Sequence, residues 1–283
     1  MRKINKRNPS SALQDFINEE IENNRKPVYE GGLDSKEEYK PHFFKIRKQL
    51  VEEQNHICCY CQQRINIEEG KTPAMKLEHF KPKDLYNGSK LDDAGQLLPD
   101  LSLDYSNFLA ACVGYDKGTT HCDSCKGGKE LKDIPNPASK DFSTFKIRYI
   151  AYDIVAGGLK PKKESDRLVK VKPLWNDKIQ LAIKENNTAQ VNYLKNNDPL
   201  VGTVEGCLNL NHPTLQSRRY TAWKAVLNVI ELKCGKYNDW HTDKGKKVIK
   251  DILRTYQVPD SEDKLKPFCQ VIVDLLQKKF KVS

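Results

Sequence analysis

Six of the nine cysteines lie between Cys58 and Cys125, and the other three, Cys207, Cys234 and Cys269, stand singly. The N-terminus, MRKINKRNPSS, is basic with no apolar stretch behind it. It is therefore not a secretory signal, and a cytoplasmic location is expected. In that reducing compartment clustered thiols bind metal or react rather than form a disulfide framework. Cys58 and Cys61 make a C-x-x-C pair, whose spacing lets two thiolates on one tight turn reach a single Zn²⁺ at about 2.3 Å each. Two more ligands must complete the tetrahedron. Cys112 ends the segment SNFLAAC, and Cys122 follows the loop VGYDKGTTH. The expected structural zinc site is Cys58, Cys61, Cys112 and Cys122, with Cys125, Cys59 and His121 as alternative ligands. A redox C-x-x-C would want a βαβ setting, which the flanking pattern lacks. The three single cysteines read as small buried hydrophobes.

The rest of the chain arranges itself around this cluster. Residues 1–55 read as a helical segment. Ser11 is placed to cap a helix carrying Leu13, Phe16, Ile17 and Ile21 on one face. Ser35 and Glu38 fit a capping box, and Pro41 is expected to interrupt that helix before Phe43, Phe44, Ile46 and Leu50 continue it. The stretch NNRKPVYEGGLD between them reads as a loop. Residues 56–130 form a small metal-held module, in which ligands replace part of an apolar core. It contains a long polar loop over 84–103. Residues 131–283 are mainly helical beyond a strand in TFKIRYIAYDIVA and a basic stretch with Lys160, Lys162, Lys163, Arg167, Lys170 and Lys172, read as a solvated loop. Apolar stripes predict helices near 213–233, around Val248–Tyr256 and over Leu265–Phe280.

Between the two thiol pairs lies Lys76-Leu77-Glu78-His79-Phe80-Lys81-Pro82-Lys83. An acidic residue beside a histidine on a short strand, then proline, is the first half of the HNH nuclease pattern. Asn107 stands five positions before Cys112, and Cys122-Asp123-Ser124-Cys125-Lys126 follows. The order of cysteine pair, acidic-His, Asn, Cys and Cys-Asp makes the signal specific. Phosphodiester hydrolysis requires a nucleophile, charge neutralisation and a stabilised leaving oxygen. His79 suits proton removal from water, since imidazole titrates nearest neutrality. Alternation along a strand turns Glu78 to the face opposite His79. Asn107 is expected to orient the loop carrying His79 or to hydrogen-bond it, and Lys126 to balance phosphate charge as a substrate contact.

The segments CCYC, LEHFKPKDLYN, LDYSNFLAAC and HCDSCKGGK resemble the HNH proteins of retron and Septu anti-phage systems, of the PtuB type. The match covers about residues 50–130, and the flanks resemble that family only through LNLN at 208–211 with Leu215 and Arg218. The resemblance implies an α+β, mostly α fold with a small zinc-bound ββα-metal module between helical segments. It implies that Glu78 and Asp123 hold one Mg²⁺ or Mn²⁺ ion through oxygen. It also implies an anti-phage effector with a PtuA-type ATPase partner, and a retron reverse transcriptase with its RNA–DNA hybrid. The expected activity is hydrolysis of nucleic acid, DNA first, with RNA as one alternative and a catalytically silent zinc-knuckle binding module as another. A net charge of +10 suits a polyanionic partner. No stretch approaches the ~20 apolar residues of a bilayer span.

Overall fold

The computed structural model describes residues 1–116, 118–131, 134–139, 142, 150–156, 167–173, 185, 187–189, 206–235 and 237–282. Among the described residues helices dominate, with three small two-stranded antiparallel sheets set among them. The first helix, α1 (Ser11–Glu22), is capped by Ser10, whose Oγ accepts from the Ala12 amide, not by Ser11 as expected. Tyr29–Leu33 is a turn in which Gly31 takes φ 72°. The capping box at Ser35 does not form. Ser35 Oγ instead bonds Asp34, and a single 3-10 turn, Glu37–Tyr39, leads into α2 (Lys40–Glu53). Pro41 sits in the first turn of α2 and helps start it, because its missing N–H has no partner to lose there.

The module is built on β1 (Met75–His79) and β2 (Phe108–Cys112), antiparallel, with Glu78 opposite Leu109 and His79 opposite Phe108. Every residue of β2 is buried, and the small side chains of Ala110 and Ala111 let neighbours approach its backbone. Gln54, at the end of α2, clips both polar groups of Ala110: its Nε2 donates to the carbonyl at 2.7 Å and its Oε1 accepts from the amide at 2.8 Å. A short hairpin, β3 (Tyr115–Asp116) and β4 (Thr119–Thr120), and a one-turn helix, α3 (Asp123–Lys126), complete the module.

Beyond it, β5 (Ile150–Ala156) pairs with β6 (Arg167–Pro173). The basic stretch is thus a strand from Arg167 onward, not a solvated loop; Lys160, Lys162 and Lys163 lie outside the described residues. Among the described residues beyond β6, the apolar stripes form α4 (Pro213–Cys234), α5 (Asp243–Gln257) and α6 (Cys269–Phe280). Leu265 precedes α6 and is buried against Ile57. Cys269 is buried as expected, whereas Cys207 and Cys234 are half-buried. The main hydrophobic core draws on all three stretches, from Phe16 and Leu50 through Phe108 to Trp223 and Ile272. Backbone bonds tie the C-terminal part to both thiol turns. Leu265 N donates to Asn55 O at 3.0 Å and Phe268 N to Gln62 O at 2.9 Å, while Cys122 N donates to Leu208 O at 2.8 Å. No helix among the described residues is long and apolar enough to cross a membrane.

Candidate functional site

The first thiol turn is held by Cys58 N donating to Gln63 O and by Ile65 N donating to His56 O. The second requires Gly114. It takes φ +65°, and an added Cβ would lie 2.1 Å from the His121 carbonyl, whose own amide bonds Gly114 O. These turns and the end of β2 converge the sulfurs of Cys58, Cys61, Cys112 and Cys122, all buried, within 4.8 Å of one another. Cys61 and Cys112 stand 3.7 Å apart. A tetrahedron with metal–sulfur bonds of about 2.3 Å has edges of about 3.8 Å, so the spacing suits a four-coordinate ion such as zinc. The thiols cannot all ionise together without a cation: hydrogen bonds from its neighbours overcome burial to hold Cys58 well below the usual thiol range, while burial pushes Cys122 up. A bound metal removes that conflict by coordinating the deprotonated form.

Around the sulfurs lies a shell of nitrogen groups. Cys112 N donates to Cys58 Sγ at 3.3 Å, Gln63 Nε2 to Cys61 Sγ at 3.6 Å, and His121 Nδ1 lies 3.3 Å from Cys122 Sγ. His121 Nδ1 also lies 3.8 Å from Cys112 Sγ, beside the four-thiol group. Cys59 and Cys125 also stand outside the group, Cys125 with its Sγ 3.8 Å from the Gly206 carbonyl. His212 caps α4 through Nδ1, contacts Thr119 Oγ1 through Nε2, and packs its ring 5.4 Å from that of His121.

One strand residue apart, Glu78 and His79 occupy different surroundings. Glu78 is 2% exposed. Its Oε1 receives both the Tyr60 hydroxyl and the Lys126 ammonium, each at 2.7 Å, so neither claims Oε2. Burial and a hydrogen bond shared with Asp123 raise the Glu78 carboxyl well above its ordinary range, against the opposing pull of Lys126. Asp123 stands at the start of α3, with Lys76 Nζ 3.7 Å from its Oδ2. Two carboxyl groups thus meet here, one of them buried.

His79 is packed edge-on between Tyr29, at 4.5 Å between ring centroids, and Phe108, at 5.0 Å. Its Nε2 lies 2.9 Å from the carbonyl of Ser102. A carbonyl only accepts, so Nε2 carries the proton and Nδ1 keeps its lone pair. Burial lowers the imidazole pKa to about 4, with Lys83 and Lys126 adding to the effect, so the ring is neutral at pH 7. Asn107 does not touch the imidazole. Its Oδ1 accepts from Lys81 N at 2.7 Å and its Nδ2 donates to Lys81 O at 2.9 Å and Leu101 O at 3.2 Å. It pins the segment leaving His79 to the end of the 84–103 loop, which presents Ser102.

Lys126 departs from expectation. It is 1% exposed, and besides Glu78 its Nζ bonds the His79 carbonyl at 2.8 Å. An ammonium so enclosed is a brace between β1 and α3, not a surface contact for phosphate. Sequence reasoning also missed Tyr60, Tyr29 and Ser102. Tyr60 had a signal, since it lies between two thiol positions on a turn packed against β1. Ser102 acts through its backbone, and no residue type announces that. Comparison of the chain with known protein families, with curated proteins and with solved structures finds no match.

Proposed function

We propose that the chain is a metal-dependent HNH-type endonuclease hydrolysing phosphodiester bonds of nucleic acid. The observation that carries this reading is a neutral histidine, its Nε2 tied to a backbone carbonyl, next in the strand to a buried Glu78 that shares a hydrogen bond with Asp123, whose charge also reaches the imidazole. A general base must be unprotonated and aimed; burial supplies the first condition and the Ser102 carbonyl the second. In this reading His79 Nδ1 takes the proton from the attacking water. Glu78 and Asp123 are the residues that would hold Mg²⁺ or Mn²⁺, which when bound supplies charge stabilisation at the phosphate and the leaving oxygen. Tyr60 and Lys126 fix one oxygen of Glu78 and leave the other for the ion. Asn107 holds the frame between His79 and the 84–103 loop. The four thiolates take zinc as a structural ion, and β1, β2 and α3 form the ββα-metal unit around the carboxylates.

A silent zinc-knuckle binder would have no use for a buried carboxyl paired with a second one near a histidine of fixed tautomer. The order of motifs supports a further step, that the enzyme is an anti-phage effector restrained by a PtuA-type ATPase. The test of activity offers the purified protein DNA and RNA with Mg²⁺, with Mn²⁺ and with neither. Metal-dependent cleavage that Asp123→Ala shifts to higher metal concentration is the expected result. Absence of cleavage of every substrate under all conditions, alone and with its operon neighbours, would refute the reading.

A further inference from the structure

The net charge of +10 is not where the proposed chemistry is. Residues 1–130 carry 20 Lys and Arg against 21 Asp and Glu, and the module over 56–130 carries 9 against 11. Residues 131–283 carry 28 against 17 and so hold the whole excess. A module of net charge −2 cannot gather a polyanion by its own field, and its bases are largely occupied. Lys71, Lys76, Lys81, Lys83 and Lys126 each pair with a carboxylate.

Helix α5 differs. Its apolar side, with Ile249, Ile252 and Leu253, is buried in the core. Lys244, Lys246, Lys247, Lys250 and Arg254 are exposed, and only Arg254 is engaged, with Asp251 at 3.3 Å. None of the four lysines has an ion-pair partner among the described residues. At a rise of about 1.5 Å per residue, Lys244 to Arg254 spans about 15 Å, the axial length of roughly four phosphates on one strand of a duplex. In the N-terminal half the exposed lysines outside ion pairs are fewer on any one element: Lys45 and Lys48 lie on α2, while Lys26 and Lys90 lie in loops.

We infer that the exposed face of α5 is a binding surface for the sugar–phosphate backbone of a nucleic acid, and that it supplies the grip the acidic module lacks. This rests on the reading of the chain as a nuclease, whose substrate it would hold. Binding of phosphates by lysines is sequence-independent and salt-sensitive, because each neutralised phosphate releases counterions.

The experiment changes Lys244, Lys246, Lys247 and Lys250 to Gln together in the full chain. Lys and Gln have similar helix propensity, so the fold is kept. A control variant changes Lys26, Lys45, Lys48 and Lys90 to Gln, with the same change in net charge. Affinity for a 30-base-pair fluorescent duplex is measured without Mg²⁺ across a salt series, alongside binding to vesicles containing phosphatidylserine. The expected result is a fall in affinity of about tenfold or more in the α5 variant. Its slope of log affinity against log salt should flatten by about 3–4, the contribution of four phosphates at about 0.9 each. The control should stay near wild type. Equal slopes in wild type and the α5 variant, or equal losses in both variants, would overturn the inference while leaving the nuclease reading standing if cleavage persists. Lysine-dependent binding to the vesicles but not to the duplex would overturn it in favour of a membrane surface. Wild-type protein that neither binds nor cuts nucleic acid would remove both.

Discussion

Lys126→Met separates a bracing lysine from a substrate contact. The side chain is 1% exposed and its partner Glu78 is 2% exposed, with nitrogen and oxygen 2.7 Å apart. Methionine keeps much of the stem's volume and removes the ammonium. Glu78 is then left as a buried carboxyl whose remaining donor is the Tyr60 hydroxyl, and the His79 carbonyl loses its bond. Removing one partner of a buried pair costs up to about 3–5 kcal/mol, and burial with Asp123 already drives the Glu78 carboxyl toward its neutral form, which limits the loss. For a chain of this size each kcal/mol moves Tm by about 2 °C, so a fall of up to about 10 °C is expected. The Lys126→Met, Glu78→Gln double variant should recover part of the loss, since it buries no lone charge. Divalent cation should raise the Tm of the single variant more than that of wild type, by taking over the compensating role. The assay is thermal unfolding followed by circular dichroism, with and without Mg²⁺, and with KM measured in parallel. A Tm within about 1 °C of wild type together with a raised KM would refute the argument and return Lys126 to the substrate.

Elemental analysis should find about one tightly held zinc per chain, and Cys58→Ser or Cys122→Ser should abolish soluble, zinc-loaded protein, since structural zinc in small sites contributes on the order of 10 kcal/mol; full zinc retention in both would exclude the four-thiol site. A chain ending near residue 172 should lose zinc and solubility even without a partner. The cut removes the Leu208 carbonyl that accepts from Cys122 N and the Asn209 amide that donates to Thr120 O at 2.8 Å. Zinc analysis of the truncated chain checks this, and a folded, zinc-loaded product would show that the C-terminal helices are dispensable to the module. Lys6, whose pKa burial lowers from 10.5 to about 8, binds fewer protons in the folded chain than in the unfolded one between those values. Its contribution to stability therefore rises with pH from about 8 to 10.5. In Lys6→Met that part of the Tm–pH slope should vanish, and an unchanged slope would contradict the effect of burial on the ammonium.

The thiol site was legible because its information is local and ordered. A C-x-x-C turn, a cysteine at the end of an apolar segment and another after a glycine-bearing loop restrict how four sulfurs can meet. The strand β1 was legible for a similar reason, since Met75, Leu77 and His79 alternate with Lys76 and Glu78. What escaped depends on long-range packing. Lys126 looks like any exposed lysine until β1 and α3 close over it. Pro41 looks like a break in a helix that starts at Ser35; only the 3-10 turn before it makes it a first-turn residue. The strand Arg167–Pro173 carries its own alternation of Val169 and Val171 with Lys170 and Lys172, but the lysines weighed toward solvent. The tautomer of His79 depends on a carbonyl 23 residues away, which no motif encodes.

The central claim is that His79 is the base. His79→Gln is the most direct test, because glutamine preserves an amide donor for the Ser102 carbonyl and fills part of the space between Tyr29 and Phe108 while removing the basic ring nitrogen. The measurement is the single-turnover cleavage rate of a DNA duplex with saturating Mg²⁺ or Mn²⁺, on protein of verified zinc content and nucleic-acid affinity. The expected result is a fall of ~10²–10⁴ with zinc and affinity unchanged. Cleavage at the wild-type rate by the zinc-loaded variant would contradict the assignment.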